Sequence, residues 1–171
     1  MKKLVIIVLL IAMGITVFAK ESGKSRKERR AEREAALVEQ TQNLIESNNW
    51  QFEATRMLPA RGGSRSITNY RVIFKQDMME SYLPFMGRAY SIDYGSNQSP
   101  MIFDSDVENY TVEEGRNGST IIKFRVKNKS DRMDFSFNIS PNGSASLSVN
   151  STNRGNISYH GNIVEIEKVK S

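Results

Sequence analysis

Residues 120–149, TIIKFRVKNKSDRMDFSFNISPNGSASLSV, decide the fold. Ile122, Phe124 and Val126 alternate with Lys123, Arg125 and Lys127. After Asn128-Lys129-Ser130-Asp131, the apolar Met133, Phe135, Phe137 and Ile139 alternate with Asp134, Ser136 and Asn138, and after Pro141-Asn142-Gly143 the apolar Ala145, Leu147 and Val149 again lie two apart. A period of two puts the apolar members of each run on one face of a strand. Turns this short join antiparallel strands, because a parallel pair needs a crossover of about a dozen residues. The stretch is therefore an antiparallel meander with one face in a core and one in water.

Working outward, residues 156–159 and 162–167 read as two more short strands beyond the Asn153-Arg154-Gly155 break. Upstream, Trp50, Phe52 and Ala54 alternate with Gln51, Glu53 and Thr55 in a strand that ends near Pro59, and a breaker-rich loop over 59–66 carries Gly62-Gly63. Tyr70, Val72 and Phe74 form the next strand, which Gln76-Asp77 turns into a partner over 78–83. Residues 84–100 read as a long loop, 101–103 as a short apolar run and 109–113 as a strand. This gives nine or ten strands, more than one strongly twisted open sheet holds comfortably. The expected fold class is mainly β with an N-terminal helix, a single antiparallel, meander-rich β-sandwich or a partly open β-barrel.

The helix is expected over 25–47, where Lys, Arg, Glu, Ala and Leu dominate without Gly or Pro. Ala31, Ala35, Val38 and Ile45 recur at helical spacing, and only the second half of that stripe is apolar enough to dock on a sheet edge or an open end. Ahead of it, Met1-Lys2-Lys3 and the apolar run 4–18, closed by Ala19 with Val17 two places before, have the layout of a secretory signal peptide. As a helix that run would span roughly 22 Å against a hydrocarbon core of about 30 Å, too short for a comfortable anchor. The expected domains are a signal peptide at 1–19, a charged helical leader at 20–37 and a single β-rich domain at 38–171. Export to the periplasm or envelope follows, and a lipoprotein does not, since the chain has no cysteine.

The net charge of +5 belongs to the leader and signal. Residues 38–171 carry 15 basic and 15 acidic side chains, so the β-domain is neutral and no nucleic-acid partner is expected; the leader lacks the interleaved aromatics of a stacking platform. The leader could touch an anionic membrane surface, although four Glu dilute its charge.

The chemistry is sparse. With one histidine and no cysteine, thiol mechanisms and clusters of His ligands are excluded. His160 has no Gly-x-Ser-x-Gly elbow to serve. Asp104, Asp106 and Glu108 would point the same way from an extended segment but lack the turn glycine and distal Glu of a helix-loop-helix calcium site. No catalytic residue, metal or cofactor is therefore assigned.

Two stretches carry a resemblance: residues 81–90, SYLPFMGRAY, and residues 149–161, VNSTNRGNISYHG. With the signal, the charged leader and the Trp50-Gln51-Phe52-Glu53-Ala54 opening, the chain resembles a domain-of-unknown-function family of exported Bacteroidetes proteins over about 38–167. The resemblance implies export and a single domain, and implies no activity. Tyr82, Phe85, Arg88, Tyr90 and Tyr94 mix aromatics with a cation around Pro84 and Gly87, the composition of a recognition surface. Asn150, Thr152, Asn153, Arg154 and Tyr159 supply a second set. The expected function is a non-catalytic binding or structural module for an envelope component, whether protein, glycan or lipid. The alternatives are a carrier enclosing an apolar ligand among Phe124, Phe135, Phe137 and Leu147, and a hydrolase using carboxylates such as Asp93 or Asp104.

Overall fold

The computed structural model describes residues 25–88 and 99–166. The expected signal peptide and the first residues of the leader lie outside the described residues. One helix, α1 (Arg26–Glu46), precedes eight strands: β1 (Asn49–Pro59), β2 (Arg65–Lys75), β3 (Met78–Tyr82), β4 (Ile102–Glu114), β5 (Thr120–Asn128), β6 (Asp131–Ile139), β7 (Ser144–Ser151) and β8 (Ile157–Val164). Each strand pairs antiparallel with the next, and β8 pairs with β1, so the sheet closes into a barrel.

Closure corrects the sandwich expectation. A sandwich keeps two sheets with free edges, whereas pairing from Gln51 with Val164 to Pro59 with Ile157 leaves none. Among the described residues the strands number eight. Residues 101–103 and 109–113, expected as separate pieces, fall largely within the single strand β4, which runs through the polar Asp104-Ser105-Asp106. That strand bulges at Asn109, whose φ is 55°. The two C-terminal pieces are likewise one strand, β8, continuous through Gly161. A Cβ on Gly161 would come well under 3.0 Å from the Glu53 carbonyl oxygen, so only glycine lets β1 and β8 approach at the β1 bulge.

Eight strands enclose an interior just wide enough for side chains to fill. Alternate residues of β5, β6 and β7 turn inward as the sequence predicts, and Phe124, Phe135, Phe137 and Leu147 are all buried. Phe124 stacks on Phe135 with ring centroids 5.5 Å apart and on Phe137 at 5.9 Å, while Trp50 stacks on Phe74 at 5.0 Å. Offset aromatic pairs at such spacings are favourable beyond the area they bury. The side chains proposed to line a ligand chamber thus pack against one another.

α1 opens on a capping box in which Ser25 Oγ accepts from the Glu28 N–H and Glu28 Oε2 accepts from the Ser25 N–H. Its residues from Ala35 onward form one compact unit with the barrel, and those up to Glu34 belong to another. Burial in the helix falls on Thr41 and Ile45, which meet the β4–β5 and β6–β7 connections at one barrel end. The expectation that its second half covers an open end holds.

Candidate functional site

The opposite end of the barrel is built from the connections β1–β2, β3–β4, β5–β6 and β7–β8. Both motif stretches converge here. Tyr159, inward on β8 and fully buried, donates its hydroxyl proton to the Pro84 carbonyl at 2.6 Å, and burial raises that hydroxyl's pKa. The Gly155 N–H donates to the Arg88 carbonyl at 2.9 Å. Leu83 and Met101 close the base of the β3–β4 connection: the Leu83 N–H donates to the Met101 carbonyl at 3.2 Å, Ser81 Oγ donates to the same carbonyl at 2.7 Å, and Ser99 Oγ donates to the Leu83 carbonyl at 2.7 Å.

The β7–β8 connection is fastened from below by Asp131, the first residue of β6. Its carboxylate accepts from Ser151 Oγ at 2.8 Å and from the Asn153 N–H at 3.2 Å, and pairs with the Arg154 guanidinium. The side chains are 3% exposed for Asp131 and 11% for Arg154, so this is a buried ion pair whose carboxylate has further donors around it. Such extra hydrogen bonds are what a desolvated pair needs to be held in place. The Thr152 N–H and Oγ1 both donate to the Arg132 carbonyl at 3.0 Å, tying the connection to the β5–β6 turn.

The expected site residues therefore divide into two roles. Tyr159, Arg154 and half-buried Asn153 position backbone, Tyr82, Arg88 and Asn150 face solvent, and exposed Thr152 does both. Tyr82 is 46% exposed and stacks on Tyr70 at 5.5 Å; Phe85 is half-buried against the core. Tyr90 and Tyr94 lie outside the described residues. Asn150 and Thr152 also line a shallow groove of about 290 Å³ on the outer wall with Arg125, Arg132 and Asp134. In it Arg125 Nε donates to Asp134 at 2.7 Å, and that hydrogen bond raises the guanidinium pKa. Asp131 is the residue that the sequence does not single out. An Asp opening a strand after a turn looks like a turn residue, and nothing local marks a partner 23 positions away.

Among the described residues, the expected chemistry residues form no common cluster. Asp104, Asp106 and Glu108 alternate on the exposed side of β4, and among the described residues no group of three or more His, Asp or Glu is placed to hold a metal ion. His160 is exposed, and its carbonyl accepts from Thr55 Oγ1 at 3.2 Å. Asp93 lies outside the described residues.

Residues 32–163 match the model of a family described as a domain of unknown function, DUF4251. The chain belongs to the DUF4251 family. Its fold is similar to that of a DUF4251 family protein from Bacteroides eggerthii DSM 20697, with a TM-score of 0.58 over 77% of this chain and 91% of that one, at 13% identity. That neighbour's source agrees with the Bacteroidetes resemblance of the two motif stretches. No curated protein matches the chain. The DUF4251 match covers every strand through Ile163 and the docking half of α1, so it spans the whole barrel and both motifs.

Proposed function

We propose that this DUF4251 domain is a non-catalytic module of the cell envelope, exported by its N-terminal signal, that binds another envelope component through the barrel end carrying residues 82–88 and 150–154. The observation that carries the reading is convergence. Two segments far apart in sequence are joined at one end by the Gly155 to Arg88 and Tyr159 to Pro84 hydrogen bonds, and a buried ion pair holds one of them rigid. A recognition surface gains from loops already held in place, since little ordering entropy is then lost on binding. Connections on a rigid scaffold are also where binding residues concentrate.

The packed aromatic interior favours an external site over an enclosed ligand. The test is photo-crosslinking in the producing cell, with a photoreactive side chain at Met86, at Thr152 or at Gln42 on the helix-covered end. The reading expects adducts from Met86 and Thr152 and none from Gln42. Adducts from Gln42 alone, or from none of the three, would overturn it.

A further inference from the structure

The β-domain is neutral as a whole, but the barrel separates its charges. At the motif-bearing end Arg61, Arg65, Arg88, Lys127, Lys129 and Arg132 are all exposed, and none forms an ion pair with a described residue. The acids described near them are Asp131, buried against Arg154, Asp134, paired with Arg125, and Asp104 and Asp106 on β4, fewer than the six cations. The helix-covered end has the opposite balance: Glu39, Glu46, Asp77, Glu113, Glu114 and Glu165 are exposed there, with Lys75, Arg116 and Lys123, the last paired with Glu113, as cations. Lys127 and Arg132 are directly opposite each other across the β5–β6 pair. Like charges in that position repel, a cost that an external anion relieves.

We infer that this basic end seats the domain on an anionic lipid surface, an inference that rests on the recognition role proposed for that end. The cations are spread over several connections around the rim and do not converge on one pocket, so they suit a plane of many headgroups better than a single phosphate. Met86, 39% exposed, and Tyr82, 46% exposed, stand at the same end. An apolar tip and an aromatic with a polar handle beside long cationic side chains are suited to the headgroup layer. Juxtamembrane basic residues each change affinity for such a surface by about fivefold.

The test is flotation of the chain, as recovered from the producing cell, with vesicles of phosphatidylglycerol and phosphatidylcholine or of phosphatidylcholine alone. The triple variant R88Q/K127Q/R132Q is compared with the leader variant R29Q/R30Q/R33Q, and Trp50 fluorescence confirms folding of both. The inference expects binding that requires phosphatidylglycerol, weakens at about 0.5 M salt, falls by about 150-fold in the rim variant and persists in the leader variant. Binding indifferent to lipid charge, or lost in the leader variant but kept in the rim variant, would overturn it. So would rim-dependent binding to soluble polyglutamate without vesicle binding, which would assign an acidic macromolecule instead. If vesicles fail while Met86 and Thr152 still crosslink, the recognition reading stands and only the lipid assignment falls; if both fail, the recognition reading falls with it.

Discussion

Replacing Asp131 with Ala removes at once the acceptor for Ser151 Oγ, for the Asn153 N–H and for the Arg154 guanidinium. The Arg154 side chain is 11% exposed, and its guanidinium would be left without its counter-charge. Breaking a buried pair from one side costs about 3–5 kcal/mol. Arg154→Met should cost less, about 1–3 kcal/mol, because the carboxylate keeps its two other donors. The double variant D131A/R154M should be no less stable than D131A, since no uncompensated cation then remains. Urea unfolding followed by Trp50, the single tryptophan and fully buried, reads these differences directly. With an m-value of about 1–3 kcal/mol/M, the D131A midpoint should fall by roughly 2 M. A loss below about 1 kcal/mol for D131A, or a double variant whose loss equals the sum of the two singles, would refute the buried-pair account of this connection.

Gly161→Ala should destabilise by at least about 1–3 kcal/mol, because overlap of this size cannot be relieved cheaply when the neighbour is main chain. Its Cβ would meet the Glu53 carbonyl, and thermal unfolding that matches the parent would contradict the close approach. Leu147→Ala should cost about 2–5 kcal/mol by opening a void in a filled barrel, and a cost near zero would point to an interior with slack. Burial raises the folded-state pKa of Tyr159 above its ordinary value of 10.0. The stability linked to this group is therefore full below the ordinary value and declines as pH rises above it, by up to about 1.4 kcal/mol per pH unit. Tyr110, also raised by burial, contributes in the same direction. In alkaline unfolding series Tyr159→Phe should have a shallower decline than the parent, and an unchanged slope would argue against a buried hydroxyl.

The parts of the fold legible in the sequence are those where local pattern and tertiary environment agree. The inward set of β5, β6 and β7, from Ile122 to Val149, follows from alternation alone, and α1 follows from its composition. β4 reads as two pieces because Asp104, Ser105 and Asp106 interrupt its apolar positions, although a strand with a wet face tolerates them. Gly161 reads as a break because glycine weakens strands in general; its reason for being there is a carbonyl on β1, more than a hundred residues away. Closure is not legible either, since whether a long meander folds into two layers or pairs its ends depends on strand tilt and stagger, to which no local pattern refers. At the candidate site, Tyr82 and Arg88 are legible as surface composition. The convergence that gives them meaning rests on the carbonyls of Pro84 and Arg88 and on Asp131, whose partners lie 75, 67 and 23 positions away.

Recognition at the motif-bearing end of a filled barrel, as proposed, would leave a footprint in hydrogen–deuterium exchange of the chain measured with and without membranes from the producing cell. The account predicts added protection over residues 83–88, 128–132 and 151–156, with 35–46 and 139–144 unchanged. Protection confined to the helix-covered end, or spread through the inward strands β5 to β7, would contradict it.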